Sequence, residues 1–237
     1  MTKIDTAMVL AAGLGLRLRP LTERTPKPLI PVAGKPLIDY VLDRLAGVGV
    51  EKAVVNVHWQ ADKLRAYLSG RTKPRIEFSD ETAELLETGG GVAKALPQLG
   101  PGPFFVLNSD MIWRDAYEDS LKRLAAAWDG ERMDALLLVV QTINAIGYDG
   151  LGDFTMDPDG RLTRRDERFV APYLYAGVQI LHPRLFEGAP AGRFSLNRLY
   201  DKAAENGRLY AILHEGDWMD VGHPEGLAAA ERALGPG

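Results

Sequence analysis

The chain has 237 residues, 46% of them hydrophobic and 25% charged, which is enough apolar material for a packed core. Its 28 basic and 32 acidic residues leave a net charge of −4 and form no basic stripe, so a nucleic-acid partner is not expected. With no cysteine there is no disulfide, thiolate nucleophile or cysteine metal site, and no apolar run approaches the ~20 residues of a membrane span.

The start of the chain lacks the charged and apolar segments of a leader, and the expected location is the cytoplasm. Ala7 to Ala12 is a short apolar run ending at Gly13, the pattern of a parallel strand buried on both faces. Pro36 can open a helix, because the missing N–H costs nothing at the first position. Leu37, Ile38, Val41, Leu42, Leu45 and Val48 then share one helical face, and Gly49 can close it. Ala53 to Val57 reads as a strand, Ala61 to Leu68 as a helix and Arg75 to Phe78 as a strand. Glu87-Thr88 leads into "GGGVAKALPQL", a glycine turn opening a short helix. Phe104 to Leu107 is a buried strand running into Asn108-Ser109-Asp110.

Ala116 to Trp128 reads as helical and Ala135 to Val140 as a strand. Beyond Gln141 the turn residues of "GYDGLGDFTMDPDGRL" predict a hairpin rather than another βαβ unit. Tyr173 to His182 is strand-like, Phe194 to Glu205 helical, Leu209 to Leu213 a strand, "GDWMDVG" a loop and Pro224 to Leu234 a final helix. The alternation predicts one α/β domain, a doubly wound Rossmann-like mixed sheet with a small antiparallel insertion. Gly13, Gly89 and Asp110 each follow a strand or open a helix, so they can converge where such sheets bind ligands.

The run "LAAGLGLRLRPLTERTPKPLIPVAGKPLI" concentrates the chemistry. Glycines after a strand let backbone N–H groups approach phosphate oxygens, and Arg17 and Lys27 can neutralise charge during phosphoryl transfer. It lacks the Gly-Lys-Ser/Thr ending of a P-loop and the third glycine of a dinucleotide fingerprint. Asp110 and Asp220 are hard carboxylates suited to Mg²⁺ beside substrate phosphates; alone, each could as well cap a helix or sit in a turn. None of the four histidines stands at ligand spacing, and none is assigned a catalytic role.

That opening run resembles the first block of the sugar-1-phosphate nucleotidyltransferases. "VVNVHW", "ETGGGVAKALPQLG", "FFVLNSD", "GLGDF", "YAGVQILHP" and "WMDVG" follow in that family's order. The resemblance implies that Ala12, Gly13, Gly15, Leu16 and Arg17 surround a nucleoside triphosphate, with Gly15 and Arg17 on the leaving pyrophosphate. It implies that Lys27 contacts the α-phosphate and the incoming sugar phosphate, and that Asp110 and Asp220 hold Mg²⁺. Asn108 would reach the ribose or a phosphate. Gly89 and Gly90 would lie against the base, with Glu81 accepting from uracil N3–H. Asp153 and Gly177 would contact the sugar.

Within the family the pattern is most like the short bacterial members that use UTP and N-acetylmuramate α-1-phosphate in cell-wall sugar recycling. About 1–140 would then be the nucleotide half and about 141–237 the sugar half of a monomer or weak homodimer. Departures are Leu16 for a common Thr, Ser109 for Gly, and His223 for Thr. A Glu-Lys-Pro that meets the sugar phosphate in larger relatives has no match, leaving Arg165, Arg168 or Lys27 for that task, and Arg164, Arg165 and Arg168 for a sugar carboxylate. Rival readings are mannose 1-phosphate with GTP, glucose 1-phosphate with dTTP, a phosphocholine-type cytidylyltransferase and a non-catalytic nucleotide sensor.

Overall fold

In the computed structural model, which describes residues 3–235, the first apolar run forms β1 (Thr6–Leu10). Its residues 7–9 are buried, Ala7 and Val9 against one apolar cluster and Met8 against another, which is why the run is apolar without alternation. A single turn, α1 (Leu21–Arg24), and a short hairpin, β2 (Pro31–Val32) with β3 (Lys35–Pro36), precede α2 (Leu37–Gly47). Pro36 is therefore the residue before that helix, one position earlier than expected. β4 (Lys52–Val57), α3 (Ala61–Leu68), β5 (Arg75–Asp80), α4 (Glu87–Leu99) and β6 (Phe104–Asn108) complete the first half.

Next come β7 (Met111–Asp115), α5 (Ser120–Ala127), β8 (Ala135–Gln141), the hairpin β9 (Phe154–Met156) and β10 (Leu162–Arg164), and β11 (Tyr173–Leu181). α6 (Asn197–Glu205), β12 (Leu209–Leu213), β13 (Gly216–Asp220) and α7 (Pro224–Leu234) finish the described chain. The main sheet runs β5-β4-β1-β6-β11-β8-β12. β11 alone is antiparallel to its neighbours there, and its start also pairs with the β9–β10 hairpin through Tyr173 and Phe154. The expected doubly wound mixed sheet with an antiparallel insertion is what forms. α2, α3 and α5 contribute to the cluster on one face, α4 and α6 to that on the other. Among the described residues, no helix is long and apolar enough to cross a membrane.

Three further segments differ from the sequence reading. α5 begins at Ser120 rather than Ala116, because the Asp119 carboxylate caps it, accepting from the amides of Leu121 (2.9 Å) and Lys122 (3.1 Å). α6 begins three residues late, because Phe194 and Leu196 are hydrogen-bonded to the start of α4. The "GDWMDVG" segment is not a loop. It contains β13, which pairs antiparallel with β7 from Gly216 opposite Asp115 to Asp220 opposite Met111. This ribbon covers a third apolar cluster containing Leu18, Ile112, Met219 and Ala230 of α7.

Candidate active site

β1 and β6 are adjacent and parallel, and the chain leaves them in opposite directions, from β1 to β4 and from β6, by way of β7 and α5, to β8. A cavity of about 350 Å³ opens at their carboxyl ends, the switch point where doubly wound sheets take ligands. The residues after β1 form one wall. Asn56 Oδ1 accepts from the amides of Ala11 (2.6 Å) and Ala12 (3.2 Å). The amides of Gly13, Leu14 and Gly15 have no acceptor among the described residues, so three consecutive donors remain for an anion.

Gly15 has to be glycine for two reasons. Its φ is +63°, and a Cβ would lie 2.6 Å from Thr22 Cγ2. Thr22, itself buried, locks the turn by donating its hydroxyl to the Gly15 carbonyl at 2.8 Å. Trp59 Nε1 donates in turn to the Thr22 carbonyl at 2.9 Å. Leu18, 1% exposed, anchors the far end of the loop in the third cluster, while Leu16 and Arg17 stay exposed at the cavity.

Two cations and two carboxylates meet here. Lys27, only 8% exposed, sets its Nζ 2.7 Å from Asp110 Oδ2. Asp220 is brought alongside by the β7–β13 ribbon: it stands opposite Met111, and the next amide, Val221, donates to the Asp110 carbonyl at 3.3 Å. Asp220 Oδ1 accepts from the Gly222 amide at 2.7 Å. A Cβ on Gly222 would lie 2.7 Å from both Arg17 Nη2 and Asp220 Oδ1, so the bare glycine lets guanidinium and carboxylate share the rim. Among the described residues no three His, Cys, Asp or Glu side chains cluster as a complete metal cage. Two hard oxygen donors beside this cavity fit Mg²⁺, which normally keeps water and substrate phosphates as its remaining ligands.

Two of the three departures noted in the sequence have local causes. The Ser109 hydroxyl donates to the Leu10 carbonyl (2.8 Å), tying β6 to β1 at the cavity floor. His223 caps α7: its Nδ1 accepts from Gly226 N at 3.1 Å, and its Nε2 donates to the Gly147 carbonyl at 2.6 Å.

Of the residues expected at the site, Ala12, Gly13, Gly15, Leu16, Arg17, Lys27, Asn108 and Asp110 line the cavity, and Asp220 borders it through Gly222. Gly177 sits in the bulge of β11 with φ +77°, where a Cβ would come within 3.3 Å of Asn108. Asp153 Oδ2 accepts from Tyr175 N at 2.8 Å, so both lie on the far side of Asn108.

Three residues are elsewhere. Glu81 is fully buried, its oxygens accepting from Asn56 Nδ2 (2.7 Å) and Leu86 N (3.0 Å), so it cannot reach a base in the cavity. Gly89 and Gly90 lie inside α4 rather than in a turn, and both amides donate to the Phe194 carbonyl (2.9 and 3.1 Å). They are small because Phe194 and Gly192 press on them, and the cavity wall there consists of Leu85, Glu87 and Thr88 instead. Sequence reasoning passed over Asn56 and Thr22. A lone Asn in the apolar strand "KAVVNV" was the available signal, since a buried amide needs partners.

Two of the three arginines held for a sugar carboxylate are committed. Arg164 Nε binds Asp201 Oδ1 at 2.6 Å, and Arg165 donates to the carbonyls of Gly152, Asp166, Glu167 and Phe169. Arg168 is exposed.

A backbone cradle for phosphate, flanked by opposed cations and carboxylates at a sheet's switch point, defines a nucleotide-handling α/β enzyme. The chain belongs to the Nucleotidyl transferase family, whose model matches residues 6–235. It is 47% identical over 232 residues to the N-acetylmuramate alpha-1-phosphate uridylyltransferase of Caulobacter vibrioides, covering 96% of each chain. It is 35% identical to the protein of the same description from Neisseria meningitidis serogroup B, covering 97% of this chain and 98% of that one. The solved structure of an apo UDP-glucose pyrophosphorylase superposes with a TM-score of 0.78 over 98% of each chain at 18% identity, a likeness of fold.

Proposed function

We propose that this nucleotidyltransferase moves UMP from UTP to N-acetylmuramate α-1-phosphate, giving UDP-N-acetylmuramate and pyrophosphate, in cytoplasmic recycling of cell-wall sugar. The observation that carries the choice of substrates is the near-full-length likeness to two proteins described by that activity. In the proposed reaction a phosphate oxygen of the sugar 1-phosphate attacks the α-phosphorus of UTP in line. The bond to the bridging oxygen breaks, and pyrophosphate leaves with its electron pair. A phosphate monoester is already nucleophilic near neutral pH, so no side chain has to remove a proton.

The protein's task is to align two polyanions and offset their repulsion. The free amides of Gly13 to Gly15 would bind the departing phosphates, and Arg17 at the rim would meet the charge that grows on them. Lys27, now held by Asp110, would contact the α-phosphate and the incoming sugar phosphate. Mg²⁺ held by Asp110 and Asp220 would supply further charge neutralisation at the phosphates. Asn108 would contact the ribose or a phosphate. On this reading the first 140 or so residues serve the nucleotide, and the remainder, with Asp153 and Gly177, receives the sugar in a monomer or weak homodimer.

The test is pyrophosphate release with Mg²⁺, crossing four nucleoside triphosphates with a panel of sugar 1-phosphates. UTP with N-acetylmuramate α-1-phosphate is expected to give the highest kcat/KM. A preference for mannose or glucose 1-phosphate would refute the muramate assignment.

A further inference from the structure

Glu81 is 0% exposed, and no Lys, Arg or His side chain forms an ion pair with it among the described residues. A buried carboxylate without a cation is costly unless its oxygens are fully hydrogen-bonded. Here both are. Oε1 accepts from Asn56 Nδ2, and Asn56 Oδ1 accepts from the amides of Ala11 and Ala12 at the root of the glycine loop. Oε2 accepts from the Leu86 amide, in the segment whose neighbours Leu85, Glu87 and Thr88 line the opposite wall.

We propose that Glu81 is a positioning residue that couples the two walls of the nucleotide cavity and so sets affinity for the nucleoside triphosphate without touching it. What the cavity binds rests on the function proposed above; the coupling itself does not. The network has a single polarity, from the loop amides to Asn56 to Glu81, and from the Leu86 amide to Glu81. It also fixes a strained neighbour. Glu87 holds φ +61°, a left-handed conformation that costs a non-glycine residue free energy, directly after the Leu86 amide that Glu81 fixes. α4 approaches the pair backbone-first: a Cβ on Gly91 would stand 2.8 Å from Glu81 Oε1 and 3.0 Å from Asn56 Nδ2. With Ala11 and Ala12 turned toward Asn56, the next three amides are left for phosphate.

Glu81→Gln keeps the shape but turns one acceptor into a donor, which must face either Asn56 Nδ2 or the Leu86 N–H. The double variant Asn56→Asp with Glu81→Gln restores every bond and reverses only the one between positions 56 and 81: the new amide donates to the new carboxylate, which still accepts from Ala11 and Ala12, while the amide's oxygen accepts from Leu86 N. For Glu81→Gln, KM for UTP is expected to rise about tenfold or more, with kcat and the KM for the sugar phosphate nearly unchanged. Exchange of the Ala11, Ala12 and Leu86 amides in the free protein should speed up together. The double variant should recover the protection. If Glu81→Gln lowers kcat alone, as loss of folded enzyme would, or if the double variant regains thermal stability but not protection at Ala11, Ala12 and Leu86, the proposal is overturned. Should the wild type turn over no nucleotide, the function proposed above fails on its own. Amide exchange still decides the coupling: unchanged protection in either loop of Glu81→Gln overturns it, and if that variant does not fold, Glu81→Asp, too short to hold Asn56 and the Leu86 amide together, supplies the same comparison.

Discussion

Gly90→Ala separates two explanations of the "ETGGG" segment by assay. If the glycines make room for a base, an added methyl should raise KM for the nucleotide and leave stability alone. The structure argues otherwise, because a Cβ at Gly90 would overlap the carbonyl oxygen of Gly192, a backbone atom that cannot swing aside. The 192–196 segment must then lift from α4. That strains the two amide bonds to the Phe194 carbonyl, the Leu196 amide bond to Thr88 Oγ1, and the exposed Glu87–Arg193 pair. Three hydrogen bonds at about 1 kcal/mol each, offset by about 1 kcal/mol of helix propensity gained on replacing glycine, leave a net loss of about 1–2 kcal/mol. For a chain of this size that is a fall in Tm of about 2–8 °C. Gly47→Ala, at the end of α2 with nothing within 4 Å of the new methyl, is the control and should not lower Tm. Scanning calorimetry of both variants, with steady-state kinetics, decides. An unchanged Tm for Gly90→Ala with a raised KM would refute the packing argument and return these glycines to the base.

Asp110→Ala and Asp220→Ala should each abolish turnover while the protein still unfolds cooperatively, since a polar site loses a ligand rather than core volume; near-wild-type rates in excess EDTA would contradict the two-aspartate assignment. Arg17→Ala should lower kcat about 10²–10³-fold at saturating UTP, because charge on the leaving group grows in the transition state; equal rates at saturation would reject that role. Arg168→Ala should erode any preference for the carboxylate-bearing sugar over N-acetylglucosamine 1-phosphate, whereas Arg164→Ala, which loses its bond to Asp201, should lower stability and leave the kcat/KM ratio unmoved. Burial holds His214, and likewise His182, below the usual histidine range, so the unfolded chain binds more protons and stability falls as pH drops below about 6.5. His214→Asn should flatten Tm between pH 7 and pH 5, and an unchanged slope would show that the ring is not responsible.

Features with a local physical cause were legible before the structure. β1 announced itself as an unbroken apolar run because both its faces are buried, α2 through its 3.6-residue period, and the β9–β10 hairpin through its Asp-Gly turns. The glycine loop and its cations were readable because phosphate chemistry demands those residue types together. What local pattern could not convey was decided by pairing at long range. β7 and β13 stand about 100 residues apart in the chain, and only their ladder sets Asp220 beside Asp110. The same holds for Glu81, which the family resemblance made a base reader. Asn56 and the Leu86 amide make it an interior strut. Three successive glycines read as a turn because glycine is a poor helix former. They lie within α4 because the chain near Phe194 needs that closeness, and tertiary packing outweighs a propensity of about 1 kcal/mol per residue.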